Sequence, residues 1–254
     1  MVLHNLDVGC GDASIIISGA STFLIDCHKI EDHQNLLPKH KFLRGVFITH
    51  QHRDHFSGLH FLKDNDYRIE NLIFSPYKRR HADSSVEYDE WIEFESLKKH
   101  FQNRGTTIHQ PYRQENLSLA WWPINNIEFR VVGPNSRIAN EETRELHDAC
   151  LVVHVRMGGR KILFTGDASD KSLEFISNNT SNFCDDILHA SHHGSINGAF
   201  APFIKACNAQ YTVISTKEGV YENVPHPDAL IEYQKHTSQK VYRTDRDGAL
   251  KWSF

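Results

Sequence analysis

The sequence predicts an α+β (α/β) protein in which two β-sheets pack face to face with helices outside them. Three observations lead there: short apolar runs between glycine-bearing turns open the chain as a strand meander, later strands alternate with helical stretches, and this order recurs in both halves. Val2–Leu6, Ser14–Ile17 and Thr22–Ile25 are the opening strands, parted by Gly9-Cys10-Gly11 and Ser18-Gly19-Ala20. Gly45–Thr49 is a buried strand, Phe56–Lys63 has helical spacing, and a strand at Leu72–Phe74 and a helix from Glu87 to Phe101 follow. Leu117–Trp122 and Ile127–Val132 read as paired strands. In the second half come strands Leu151–Val155 and Lys161–Thr165, a helix after Ala168, a strand Asp186–His189 and a helix near Phe200–Cys207. Strand Tyr211–Ile214, helix Asp228–His236 and closing strands Val241–Arg243 and Ala249–Trp252 complete the order. No Pro-, Gly- or Ser-rich linker interrupts it, so residues 1–254 are expected to form a single domain.

Composition narrows the setting. A chain of 254 residues, 39% hydrophobic and 24% charged, is neither collagen-like nor disordered. It has no apolar run of membrane-spanning length and no signal-peptide pattern at its start, so a soluble cytoplasmic protein without membrane contact is expected. Cys10, Cys27, Cys150, Cys184 and Cys207 are odd in number and widely spaced, which suits structural reduced thiols. A net charge of −4 excludes a protein that coats nucleic acid through many phosphate contacts. Histidine, at 18 residues, is in excess, and the question is whether any lie at ligand spacing.

They do. Thr49-His50-Gln51-His52-Arg53-Asp54-His55 follows a buried strand directly, and chance would place roughly 0.006 such H-x-H-x-D-H patterns in a chain of this composition. His50 and His52, two apart at a strand end, leave on one face and can reach one cation. Asp54 and His55, in the turn that follows, can hold a second. Four ligand-type side chains in six positions exceed what one open site takes, so two adjacent metals fit better. Further ligands stand at other strand ends. Asp167, after Thr165-Gly166, is suited to bridging both ions; one of His192 and His193 is expected to contribute, and His147 precedes another strand. His189, inside an apolar strand, reads as a core residue.

Taken together, Leu3–Ala13 with its Asp-Val-Gly-Cys-Gly-Asp core, the Thr-His-x-His-x-Asp-His block, Thr165-Gly166-Asp167-Ala168, Ser191-His192-His193-Gly194-Ser195 and Val241–Gly248 resemble the metallo-β-lactamase-fold hydrolases. Within them they resemble the subgroup typified by the soluble hydrolase domain of the competence protein ComEC. The resemblance implies a four-layer αββα sandwich and two divalent metal ions, zinc or manganese, in the cleft between the sheets. It implies His50, His52 and His147 on the first metal, Asp54, His55 and His192 on the second, and Asp167 between them. Asp26 would orient a ligand histidine, with His193 beside the chemistry. Two departures stand out. The subgroup commonly has Asn where His147 stands, and its His-Pro-His-Pro element is Asn223-Val224-Pro225-His226-Pro227-Asp228, leaving His226 as the expected leaving-group acid. The multi-spanning channel that accompanies the domain in ComEC is absent, so DNA import is not expected.

A water activated between two cations suits phosphodiester hydrolysis, with Asp54 orienting it or accepting its proton. A metal-dependent nuclease or phosphodiesterase is therefore the expected activity, acting on DNA, RNA or a small nucleotide. Hydrolysis of an ester, thioester or lactone at the same site is the alternative, and a non-catalytic metal-stabilised sensor or interaction module is a third. Lys78, Arg79 and Arg80, in Tyr77-Lys78-Arg79-Arg80-His81, form a candidate substrate loop, and Trp121-Trp122 is read as a buried aromatic pair rather than a base-stacking surface.

Overall fold

The computed structural model describes residues 1–80, 83–181 and 183–254. In chain order the elements are β1 (Val2–Asn5), β2 (Ala13–Ser18), β3 (Ser21–Cys27), β4 (Phe42–Leu43), β5 (Gly45–Ile48), α1 (Arg53–Phe56), α2 (Gly58–Asp64), β6 (Arg68–Ile69), β7 (Asn71–Phe74), α3 (Tyr88–Asn103) and β8 (Thr107–His109). They continue with β9 (Trp122–Ile124), β10 (Ile127–Gly133), α4 (Ser136–Asn140), β11 (Val152–Met157), β12 (Arg160–Phe164), α5 (Asp170–Asn179), β13 (Ile187–His189), α6 (Ala201–Cys207), β14 (Tyr211–Ile214), α7 (Pro227–His236), β15 (Lys240–Arg243), α8 (Thr244–Asp247) and β16 (Leu250–Ser253). No helix among the described residues is long and apolar enough to cross a membrane.

Two seven-stranded sheets result, one in the order β16-β1-β2-β3-β5-β7-β8 and the other β15-β14-β13-β12-β11-β10-β9. Each begins as an antiparallel meander and continues with parallel strands, β3-β5-β7-β8 in the first and β12-β13-β14-β15 in the second. The last strand, β16, returns to pair with β1. Alternate residues of one strand enter different cores, which is why these strands are apolar throughout. In β3, Phe23 and Ile25 join Phe47, Phe129, Val153 and Phe164 between the sheets, whereas Leu24 packs outward with Leu59, Leu62, Phe94 and Leu97 of α2 and α3. A third core joins Val132, Val152 and Leu163 to α5, α6 and α7. Helix, sheet, sheet and helix are thus four layers, the metallo-β-lactamase fold.

The predicted strand over Leu117–Trp122 begins only at Trp122. Asn116 Oδ1 accepts the backbone N–H of Ser118 at 2.9 Å and its hydroxyl at 2.6 Å, a local turn that diverts the backbone from the ladder. Trp122 packs edge-on against Phe23 at 5.5 Å and Trp121 against His109 at 5.6 Å, so both rings are committed to packing. Two short pairs of strand residues (β4 with β6), β8 and α4 were not apparent from the pattern; each is too short to show a period.

Gly58 opens α2 where the helix presses on β3: a Cβ there would lie 1.9 Å from the Cys27 carbonyl oxygen and 2.7 Å from Ile30 Cγ2. Backbone cannot yield as a flexible side chain would. Gly58→Ala is expected to lower stability by about 1–3 kcal/mol through overpacking, read as a drop in the urea unfolding midpoint; an unchanged midpoint would contradict the close approach.

Candidate metal centre

The C-terminal ends of β5, β12 and β13 and the loops after them meet at one edge of the sandwich. Leu151 N–H donates to the Thr49 carbonyl at 2.8 Å and Ser75 Oγ to the Ala149 carbonyl at 2.7 Å, which ties the two sheets together there. Gly166, with φ of +49°, brings the chain so close to Thr49 that a Cβ would lie 2.5 Å from Thr49 Oγ1. Asp167 follows it into the interior.

Among the described residues, six groups of potential ligands have atoms within 4.8 Å of one another, and five of them build this centre. His50, His52 and His147 form one, Asp54, His55 and His193 another; Asp167 groups with His50 and His55, with His147 and His192, and with Asp12 and His193. Around the Asp167 carboxylate, His55 Nε2 lies at 3.3 Å and His50, His192 and His193 Nε2 each at 3.7 Å. The expected ligands therefore converge, with one exchange. His193, not His192, stands with Asp54, its Nε2 3.5 Å from Asp54 Oδ2, while His192 borders His147 with ring centroids 4.7 Å apart. The reason is a backbone one: both residues have φ of +53°, a left-handed pair that aims consecutive rings into the cavity from different sides.

The ring nitrogens away from the focus are spoken for. His55 Nδ1 is 2.9 Å from Asp26 Oδ2, His193 Nδ1 is 3.1 Å from the Ser215 carbonyl oxygen, and His52 Nε2 is 3.0 Å from that of Ser85. Asp26 also accepts the Thr49 N–H and hydroxyl, each at 2.7 Å. These contacts turn His55 Nε2, His193 Nε2 and His52 Nδ1 toward the site, with His52 Nδ1 3.1 Å from His50 Nε2, the arrangement that orients ligand imidazoles for a cation. Among the buried atoms with no hydrogen-bond partner are His55 Nε2, His147 Nε2, His193 Nε2 and Asp167 Oδ1. Orphaned acceptors at a common point are what a divalent cation would satisfy, and the nitrogen–oxygen donor set suits zinc or another borderline ion.

Burial would lower His55 and His193, but Asp167, with Asp26 beside the first and Asp12 and Asp54 beside the second, holds both imidazoles well above their ordinary range, so a bound cation would displace a proton from each. Burial alone would raise the carboxyl pKa of Asp54, but His193, whose Nε2 lies 3.5 Å from Asp54 Oδ2, and then the charge of His55 hold it at about 2. Asp167 is likewise held well below the ordinary range, burial notwithstanding, by His193, His55 and His192. Burial, then His55, lowers His50, and burial lowers His147 to about 3, which keeps both imidazoles neutral as ligands must be.

The centre opens into a cavity of about 700 Å³ whose wall includes His28, Lys29, Lys217 and Tyr221 as well as Asp54 and Asp167. Lys29 Nζ and Lys217 Cδ stand 3.6 and 3.8 Å from where a Gly9 Cβ would be. These cations carry no motif in the sequence. Asp12, in the opening Asp-Val-Gly-Cys-Gly-Asp motif, has its carboxylate 3.5 Å from His193 Nδ1, 3.7 Å from His189 Nδ1 and 3.9 Å from His55 Nδ1. His189 is buried as expected, though at the floor of this cluster rather than in a purely apolar setting. His226 does not line the cavity: its Nδ1 accepts the Asp228 N–H at 3.2 Å and caps α7, so its ring is committed to the helix start.

The basic loop is not a free cationic surface either. Arg80 donates to the carbonyls of Asn140, Glu141 and Glu142 at 3.0–3.3 Å, and Arg79 donates to the Val86 carbonyl and lies over the Tyr88 ring. Lys78 is exposed with its carbonyl bound by Arg144, and His81 lies outside the described residues. Arg80 instead borders a second cavity of about 440 Å³ that adjoins the first at His147.

The model for the metallo-beta-lactamase superfamily matches residues 41–206, more than half of the sequence. The chain belongs to that superfamily. Comparison with curated protein sequences gives no match. Among solved structures, the metallo-beta-lactamase fold protein YhfI from Bacillus subtilis is similar over 99% of both chains at 14% identity and a TM-score of 0.61. Zn(2+)-bound PqqB from Methylobacterium extorquens is similar over 100% of both chains at 9% identity and a TM-score of 0.61. Human tRNase Z, short form, is similar over 86% of this chain and 93% of its own at 15% identity and a TM-score of 0.50. At such identities the likeness is one of fold.

Asp26→Ala leaves the Thr49 N–H unpartnered in the interior and His55 Nδ1 with only the Thr49 hydroxyl at 3.3 Å. It is expected to cost about 1–3 kcal/mol in stability and to weaken metal affinity roughly 10–100-fold, measured by chemical unfolding and by competition with a chromogenic chelator. Retention of parent affinity would show that the contact does not orient His55. A pH effect follows from Asp83. Burial would raise its pKa, but the Tyr77 hydroxyl, Ser85 and Arg144 hold it at about 2 against the ordinary 3.8. A depressed carboxyl contributes stability above its unfolded pKa and loses it as pH falls through the folded value. The stability difference between the parent and Asp83→Asn should therefore be full at neutral pH and shrink between pH 4 and 2; a constant difference would contradict the assignment.

Proposed function

We propose that the chain is a metal-dependent hydrolase of phosphodiesters, with nucleic acid or a small nucleotide as substrate. The observation that carries this reading is the meeting of two three-residue ligand groups at the Asp167 carboxylate, in an open cavity whose rim carries Lys29 and Lys217. In this reading His50, His52 and His147 hold one divalent ion, Asp54, His55 and His193 the other, and Asp167 lies between them. His192 borders the first group. Zinc or manganese bound there would polarise a water and offset charge on the phosphoryl oxygens.

The chain's own groups supply the rest. Asp54 stays ionised at neutral pH, so it can orient the attacking water. Lys29 and Lys217 offset the charge of a bound phosphate, a service a neutral ester does not need. His28, lowered to about 4 by burial, remains a neutral donor or acceptor at the rim. A tRNase among the proteins that share the fold is in keeping with a phosphodiester substrate. The Asp7–Ala13 and Ser191–Ser195 segments favour the ComEC-like subgroup, residues 1–254 are read as one domain, and five buried thiols favour the cytoplasm.

The test is a panel of bis-p-nitrophenyl phosphate, single- and double-stranded DNA, RNA and cyclic nucleotides against acyl esters, each with zinc, manganese or chelator. Turnover of a phosphodiester that chelator abolishes is expected, and metal-loaded Asp54→Asn should lose about 10²–10⁴-fold in rate. Turnover of acyl esters alone, or an Asp54→Asn variant working at the parent rate, would sink the reading.

A further inference from the structure

The outer face of the second sheet changes character along its strands. Val132, Val152 and Leu163 are covered by the α5–α7 layer, whereas the next positions on that face are Arg130, opposite His154, and Arg156, opposite Lys161. With Ser118 and Phe183 these four residues line a cavity of about 230 Å³ that shares no lining residue with the metal cavity.

Two groups in its wall are unsatisfied. His154 is 5% exposed, yet neither ring nitrogen has a hydrogen-bond partner among the described residues, and the same holds for one terminal nitrogen of Arg130. Buried polar groups are seldom left so. The carboxylates nearby are already engaged: Glu128 with Arg130 at 2.7 Å and Asp185 with Lys161 at 2.5 Å, while Arg156 has no ion-pair partner among the described residues. Burial, then the charges of Arg130, Lys161 and Arg156, lowers His154 to about 4. Its ring is therefore neutral near pH 7, with one N–H to donate and one lone pair to accept, inside a cationic surround. An oxyanion that keeps one proton complements that set.

We propose that this cavity is a second binding site, one that takes phosphate, free or as a monoester, on His154, Arg130 and Lys161. A volume of about 230 Å³ admits a phosphate group with little else enclosed, so an ester's remainder would lie outside. The proposal is independent of what the metal centre hydrolyses.

Calorimetric titration of the metal-loaded protein with inorganic phosphate, and separately with adenosine 5′-monophosphate, tests it. The parent should show a binding event that His154→Phe and Lys161→Gln each weaken at least tenfold or remove, with metal content and circular dichroism unchanged. Loss with phosphate alone identifies a free-anion site, and loss with both identifies a monoester site. If His154→Phe fails to fold, Lys161→Gln carries the test. Identical binding by the parent and the folded variants overturns the proposal.

Discussion

The Asp167 carboxylate, 2% exposed and ringed by four imidazoles, is the constraint from which the rest of the centre follows. A buried carboxylate is costly unless its charge is matched, and here each neighbouring imidazole lies within 3.3–3.7 Å of it. Those rings come from both sheets: His50 and His55 follow β5 of the first, His192 and His193 follow β13 of the second. The centre therefore exists only when the two sheets are packed, and the phenylalanines between them, such as Phe47 stacked on Phe129 at 4.8 Å, are what put the ligands in register. Packing and chemistry are one constraint at this edge.

Backbone features then set which atom of each ring faces inward. Asp26, itself left-handed with φ of +52°, spends its carboxylate on Thr49 and His55, and so fixes the start of the His50–His55 turn and one tautomer within it. The left-handed pair at His192 and His193 is the counterpart on the other sheet. Two successive non-glycine residues in that region are disfavoured, and here they deliver two rings to one cavity from a four-residue turn.

That explains what could be read from the chain beforehand. The H-x-H-x-D-H block was legible because its geometry is local: strand end, turn, helix start. The four-layer fold followed from strands apolar on both faces and from the order of strands and helices. The choice between His192 and His193 was not legible, because it turns on φ values that two identical neighbouring residues do not reveal. His226 misled for the opposite reason: a histidine before proline and aspartate reads equally as an acid or as a helix cap, and only the packing of α7 decides. Asp12 joins the ligand cluster, and Lys29 and Lys217 reach the cavity, from segments that carry no metal-ligand pattern, so only the fold brings them into view.

The basic loop shows how a charge pattern can point to the right place for the wrong reason. Its arginines are spent on carbonyls, but Asp83, held by Tyr77 and Arg144, fixes Ser85 through contacts of 3.1 Å to its N–H and 2.7 Å to its hydroxyl. The Ser85 carbonyl in turn accepts from His52 Nε2, which presents Nδ1 to the site. Ser85 Oγ also accepts the N–H of Leu146, next to His147. One segment thereby steadies two members of the first ligand group. Because an imidazole ligates through a single nitrogen chosen by what the other one binds, the loop between β7 and α3 sets which nitrogen of His52 faces the site, and Arg79 and Arg80 anchor the segment through the carbonyls of Val86, Asn140, Glu141 and Glu142.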